Sequence, residues 1–229
     1  MSRPAAGGGR WVSVDPERLE HWLEGFAGRH GAVTWTAGAT SVDVRAADGA
    51  RAGCEVPFPP LAPDPGAAYG GLLDHALAER RVGVLLVRLG GFAAGVVEGT
   101  RLVASRVGSR PVHGRAAAGG WSQHRFARRR EGQARTALEA AAEAAVAVLL
   151  PALSGLDAVV AGGDRRAVDA VLADPRLAVL RPLLSPRLLD VPDPRRRVLD
   201  DSPRRLRAVP IRVVEPGEAP EVDGPRATS

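Results

Sequence analysis

The stretch Gly119-Gly120-Trp121-Ser122-Gln123, followed by His124-Arg125-Phe126-Ala127-Arg128-Arg129-Arg130, joins a thin backbone, one polar amide and a block of cations. An amide neither gains nor loses a proton near neutral pH. The Gln123 carbonyl can orient a water, and its NH2 can donate to developing negative charge. That chemistry suits hydrolysis of an ester already activated by its surroundings, with positioning supplying most of the rate. Gly119 and Gly120 open backbone conformations closed to other residues, so the segment can form a tip narrow enough for a crowded site. Ser122 can cap the helix that follows. Arg125, Arg128, Arg129 and Arg135 recur at three, four and six to seven residues, which lines guanidinium groups along one side of a helix. Such groups grip phosphates in a fixed fork, and a helix N-terminus adds its own attraction for anions. Arg115, Ser122, His124 and Arg130 complete the set expected to hold nucleic acid. Trp121 fits either stacking on a base or packing on its own helix. His113 and His124 flank the tip and suit phosphate binding better than proton transfer.

The charge pattern supports a localised contact. Between Arg101 and Arg135 there are nine Arg and one acid, Glu131, a balance of +8, whereas the whole chain is +5. Everything outside that window therefore sums to 5 − 8 = −3. A concentrated basic patch is the electrostatic footprint of a nucleic-acid contact. All 31 cationic side chains are Arg, with no Lys, which matches the parallel abundance of Ala, Gly and Pro and says little about function. A single cysteine, Cys54, rules out an internal disulfide and a cysteine-based zinc site, and the five His show no ligand-like pairing, so no metal or other cofactor is expected. No segment reads as a signal peptide, and no run is expected to span a bilayer, which predicts a cytoplasmic protein without a membrane partner.

The elements that must position these residues follow from spacing. A length of 229 residues with 4% aromatics predicts one principal core of Val, Leu and Ala with a small appended module. Residues 1–10 are expected to be disordered. Asp15-Pro16-Glu17 opens a helix carrying Leu19, Trp22, Leu23 and Phe26 and ending near Gly28 to Gly31. Val33 to Thr36 and Val42 to Arg45 alternate as strands, and Asp48-Gly49 marks a turn. Pro57 to Gly71 reads as a linker or an extended crossing segment, which places a boundary near residue 66. Leu72 to Arg81 is expected to be helical. Val82 to Leu89, Phe92 to Glu98 and Arg101 to Val107 form an antiparallel meander. A long helix then runs from about Ser122 to Leu150, where Pro151 stops it. Ala158 to Ala161 reads as a strand, Gly162-Gly163-Asp164 as a tight turn and cap, and Arg165 to Ala173 as a helix. Pro182 to Pro194 is expected to be loop, Arg195 to Arg207 partly helical, and Pro210 to Val214 a last strand. The class is α/β (α+β), a mixed and largely antiparallel sheet packed with helices. The divisions are 1–66, a small N-terminal module; 67–214, the principal domain; and 215–229, a disordered tail.

The stretch from His113 to Arg130 resembles the central-domain motif of eukaryotic and archaeal peptide-chain release factors, in which a Gly-Gly-Gln tip precedes an Arg-Phe-Ala-Arg helix start. Arg125-Phe126-Ala127-Arg128 matches that helix start. Here Trp121 and Ser122 separate the glycines from Gln123, and this Gly-x-x-Gln spacing resembles the Vms-like release factors of ribosome quality control, including their bacterial peptidyl-tRNA hydrolase branch. The resemblance implies that residues 67–214 form a release-factor-like catalytic domain. It implies hydrolysis of peptidyl-tRNA on the large ribosomal subunit, with Gly119, Gly120 and Gln123 as the catalytic tip and ribosomal RNA and tRNA as partners of a monomer. Cleavage of the tRNA acceptor end is the alternative within the family, and a non-catalytic ribosome-binding factor is the alternative outside it.

Overall fold

The computed structural model describes residues 3–5, 7–88, 90–109 and 122–218, and over residues 122–130 it describes the helix backbone alone. The chain forms two compact units, Met1–Ala78 with Arg207–Ser229, and Glu79–Leu206.

The first unit contains strands β1 (Arg3–Pro4), β2 (Arg10–Val14), β3 (Val33–Ala37), β4 (Ser41–Ala46) and β5 (Arg51–Glu55), helices α1 (Leu19–His30) and α2 (Leu72–Leu77), and the last strand of the chain, β11 (Val209–Val214). Its six-stranded sheet has the order β1-β2-β11-β5-β4-β3, with every pairing antiparallel. Alternation along the strands decides which face is covered. Val42, Val44, Ala52, Cys54, Ile211 and Val213 point to one side and are buried beneath Leu19, Leu23 and Phe26 of α1 and Leu72 and Ala76 of α2. Asp43, Arg45, Arg51 and Glu55, one residue out of step, are exposed on the other side.

Several expectations for this unit need correction. The glycine-rich start is not disordered over its described residues. Gly7, Gly8 and Gly9 all take positive φ, and the hairpin they close pairs Arg3 with Trp11 and Pro4 with Arg10. Arg51–Glu55 is a strand that the Asp48-Gly49 turn announces but that its Arg-Ala-Gly-Cys-Glu composition conceals. The Pro- and Gly-rich stretch expected to mark a boundary at residue 66 lies inside the unit, where Leu61 and Leu72 belong to its core. The division falls instead between Ala78 and Glu79 and again between Leu206 and Arg207. The final strand β11 therefore belongs to this sheet, inserted between β2 and β5.

The second unit contains β6 (Arg81–Arg88), β7 (Gly91–Glu98), β8 (Arg101–Ser109), α3 (Ser122–Leu149), β9 (Ala158–Gly163), α4 (Arg165–Leu172), β10 (Leu184–Leu189), α5 (Arg196–Asp200) and α6 (Ser202–Arg207), the last residue of which falls in the first unit. The strand order is β10-β9-β6-β7-β8. The meander β6-β7-β8 is antiparallel as its short turns require, and β9 and β10 join it in parallel. β10 arises inside the four-proline stretch expected to be loop. It is an edge strand with a register shift between Leu184 and Leu188, so Pro186 removes no ladder hydrogen bond from the sheet interior.

Helix α3 lies across one face of this sheet. Ala141, Ala144, Ala145 and Leu149 are fully buried in a cluster with Leu85, Val87, Phe92, Ala94, Val96 and Val159. Small side chains let the helix backbone approach the strands closely, and larger residues from the sheet fill the gaps. Pro151 ends the α-helix as expected, and the chain continues as a 3-10 segment over Leu150–Gly155. By length and composition, Glu131–Gly155 is apolar enough to cross a membrane, against the sequence expectation. That apolarity comes largely from alanine, and in the fold the helix packs on β7, β8 and β6.

Candidate functional site

Strand β8 ends at Ser109 and helix α3 begins at Ser122, so these two elements carry the twelve residues Arg110–Trp121 between them. Arg115, Gly119, Gly120 and Trp121, together with His113, lie outside the described residues. Ser122 is the first residue of α3, in agreement with the expected helix start, and Gln123 is the second. His124, Arg125, Arg128, Arg129 and Arg130 follow within the first nine residues of the same helix, which has no acid in its first turn. The described geometry thus brings the glutamine and the Arg block together on one helix N-terminal segment, which follows Gly119-Gly120-Trp121 in sequence.

The base that holds this segment is built from both sides. β8 and α3 pack against each other and both pack on β7. Ala94 of β7 is buried in the cluster beneath α3, and its cross-strand partner on β8 is Arg106. Paired residues share a sheet face. Arg106 is therefore on the α3 side of the sheet, and it is exposed. The helical spacing of the Arg stripe could not reveal this residue, because its placement depends on the β7–β8 register. The alternation of β8 was the available signal.

The far half of α3 is held by packing and also carries an exposed ion pair. Glu143 accepts from Arg176 at 2.7 Å, and Arg176 also reaches Asp174 at 2.7 Å. Asp174 caps the 3-10 segment that follows by accepting from the Arg176 backbone N–H at 2.9 Å. The side-chain hydrogen bond from Arg176 and then its backbone N–H hold the Asp174 carboxyl below the usual carboxylate range. Asp174 and, secondarily, Glu143 raise the Arg176 guanidinium further above its usual value.

Arg135 is the one member of the expected stripe whose surroundings are described. It is exposed and faces Glu139 one turn on, at 3.9 Å. That carboxylate lies just beyond the acid-poor window, so Arg135 is offset by a neighbour that a count ending at residue 135 leaves out. An exposed i,i+4 pair is worth only about 0.3–0.5 kcal/mol. Such a pair yields readily to a phosphate.

Two other sequence features take structural roles. Gly162-Gly163 ends β9, and Asp164 caps α4 by accepting from the Ala167 N–H at 3.0 Å. Cys54 is buried in the first unit's core, where burial pushes its thiol up to about 12, so it supplies neither a thiolate ligand nor a nucleophile. Among the described residues no three His, Cys, Asp or Glu side chains gather as a metal site would require. His75 bonds the Pro57 carbonyl oxygen at 2.8 Å and so ties α2 to the proline-rich segment.

No curated protein matches the chain. Among solved structures, the archaeal translation termination factor aRF1 is 17% identical, with 64% of this chain and 44% of that chain covered and a TM-score of 0.36. An archaeal protein is 16% identical, with 69% and 48% covered and a TM-score of 0.37. The aligned part of the chain spans less than half of either structure. The sequence profile of the Actinobacteria/chloroflexi VLRF1 release factor family matches residues 80–212, more than half of the chain, and this span contains the β8–α3 connection with Gly119, Gly120 and Gln123. The chain belongs to that release factor family.

Proposed function

We propose that this protein is a peptidyl-tRNA hydrolase that releases stalled nascent chains from the large ribosomal subunit in ribosome quality control. The observation that carries the reading is the placement of Gln123 at the second position of α3, directly after the Gly119-Gly120-Trp121 segment, in a chain of release-factor family. The segment would enter the peptidyl-transferase centre. Gln123 would orient a water against the ester that joins peptide to tRNA, and its NH2 would donate to the oxyanion that develops. Arg115, Arg125, Arg128, Arg129, Arg130 and Arg135, with Ser122 and His124, would hold ribosomal RNA or tRNA, and Trp121 would stack on a nucleotide. Arg106 extends this basic surface onto the sheet edge. The protein would act as a cytoplasmic monomer, without a metal, because positioning and electrostatics supply the chemistry.

The test is single-turnover peptide release from purified stalled large subunits at saturating protein, with binding measured separately by pelleting. Gln123→Ala should slow release by on the order of tenfold to a thousandfold, the range for loss of one positioned hydrogen-bonding group, and leave binding intact. Trp121→Ala should change binding or tip placement instead, since an indole has one donor and no acceptor to activate water. The tRNA product should keep an intact acceptor end on a denaturing gel. Release by Gln123→Ala at the parent rate, or a shortened tRNA, overturns the hydrolytic assignment. Binding without any release by the parent would favour a docking factor.

A further inference from the structure

The six-stranded sheet of the first unit has helices on one face only, and the bare face carries a feature that folding does not account for. Arg45 of β4 and Arg51 of β5 are direct cross-strand partners, and both are exposed. Like charges placed directly opposite one another destabilise a sheet. Among the described residues neither guanidinium is in an ion pair with a carboxylate. Thr34 of β3 continues the same row on the far side of Arg45, so the row Thr34–Arg45–Arg51 contains no acid. The face does carry acids. Asp43 occupies the adjacent row and leans toward Gly53, its Oδ1 lying 3.4 Å from where a Cβ would stand, and Glu55 lies beyond it opposite Ser41. Arg212, also in the Asp43 row, is already engaged by the Gly7 and Gly8 carbonyls. Arg3 is a further exposed cation of the face, in the Asp43 row beside Trp11, but among the described residues Arg45 and Arg51 are the two placed side by side in a row without a counter-charge.

Neighbouring strands run about 4.8 Å apart, so two guanidinium groups rooted opposite each other can close on one phosphate from both sides. An anion seated there removes the repulsion. The rest of the face identifies which anion. It is mostly polar, with Thr34 exposed beside Arg45, Thr36 exposed beside Asp43 and Trp11 partly exposed in the Asp43 row. The buried centre of a protein–protein interface is apolar and poor in charge, whereas nucleic-acid surfaces are polar, basic and served by an occasional aromatic ring.

We infer that the helix-free face of this sheet is a second RNA-binding surface, centred on Arg45 and Arg51, which grip the phosphate backbone independently of the tip. The choice of RNA over another polyanion rests on the proposed work on the ribosome, while the anion site itself rests on the strand register. Base identity should matter little, because the row presents guanidinium and hydroxyl groups to a backbone.

The experiment measures affinity of the full chain for a fluorescein-labelled single-stranded RNA 20-mer across a series of salt concentrations. Each phosphate contact in a single strand adds about 0.7 to the slope of log affinity against log salt. Arg45→Gln with Arg51→Gln should lower that slope by about 0.7, the share of the one phosphate the pair grips, with thermal unfolding no lower than the parent's because the change removes repulsion and keeps the side chains long. Arg51→Glu alone creates an opposite-charge pair and should weaken RNA binding while raising the unfolding temperature. Poly-glutamate at equal charge should displace the RNA poorly. An unchanged slope in the double variant overturns the surface, and displacement by poly-glutamate as effective as by unlabelled RNA overturns the choice of RNA. The assay includes no release step. The loss of slope stands even if Gln123→Ala proves fully active, and the tip assignment stands even if this slope does not move.

Discussion

Replacing Gly163 with alanine tests whether the turn between β9 and α4 is a structural joint under backbone constraint. Gly163 has φ +101, a left-handed conformation that costs an alanine about 1–2 kcal/mol. A Cβ there would lie 2.2 Å from the Val87 carbonyl oxygen and 2.9 Å from its carbon, so the obstruction is the backbone of the neighbouring parallel strand and no rotamer change relieves it. The same Val87 oxygen accepts from the Asp164 N–H at 2.8 Å, the hydrogen bond that seats the cap of α4. Separating the strands far enough to admit the methyl group breaks that bond, worth about 1 kcal/mol net. The total comes to about 2–3 kcal/mol. With a urea dependence of about 2 kcal/mol per molar, the midpoint should fall by about 1–1.5 M. Ellipticity at 222 nm is the appropriate signal, because the 28-residue α3 belongs to the same unit as Gly163. Tryptophan fluorescence reports the other unit, which holds Trp11, Trp22 and Trp35 of the four tryptophans, and its transition should move less. Gly49→Ala is the control: its φ is +95 with nothing within 4 Å of the new methyl, so it carries the conformational cost alone. If Gly163→Ala loses no more stability than Gly49→Ala, the contact with Val87 is not a constraint and the reasoning fails.

Arg128→Ala combined with Arg129→Ala should weaken RNA or subunit binding broadly across sequences and flatten its salt dependence, since fewer counterions are released; an unchanged slope places the contact elsewhere. Asp48 accepts from the Ala50 N–H at 2.9 Å and lies 2.9 Å from His30 Nδ1. These hold its carboxyl below the ordinary aspartate value, the Ala50 hydrogen bond first and His30 second. A depressed folded value stabilises the fold above the unfolded value and loses that contribution as pH falls through the folded one. Asp48→Asn should therefore lower the unfolding temperature at neutral pH and converge with the parent in strong acid, whereas a constant gap across pH would remove the charge from the explanation. Cys54 should resist a thiol-specific disulfide reagent at pH 8 in the native protein and react fully in denaturant, because burial suppresses both access and the thiolate. Rapid native labelling would contradict that burial.

What the sequence disclosed and what it hid divide along a physical line. Elements with strong local signals came through: α1 behind its proline, the β6-β7-β8 meander between two-residue turns, and α3 between its serine and Pro151. Their boundaries are set by turn chemistry and side-chain period, which are local. β10 was hidden because proline argues against a strand, and only its edge position makes Pro186 harmless. β5 was hidden because one apolar alternation of Ala52 and Cys54 is too short to stand out. The placement of β11 beside β2 and β5 is a long-range pairing that no window of sequence contains. At the site the same division holds. Gln123 and the Arg block were legible as helix spacing, whereas Arg106 and the Arg45–Arg51 pair depend on strand register.

The division of α3 into an Arg-rich start and an Ala-rich end fits a lever-like role under the proposed function. Among the described residues its first fully buried one is Ala141, nineteen positions after Ser122. At 1.5 Å per residue the helix start stands about 28 Å along the axis from Ala141. A tilt of about 10° at Ala141 would move that end by about 5 Å, more than a hydrogen-bonding distance, so under the proposed hydrolysis a glutamine that positions water at one ester would need the far half held firmly. Alanine at positions 141, 144 and 145 provides that by bringing the helix backbone down onto the sheet, and Glu143 with Arg176 restrains it from the side. The near half would have the opposite requirement under the proposed RNA contact, since residues that meet a polyanion cannot be shared with a core. A single unbroken helix would make the accuracy of the buried half available at Gln123.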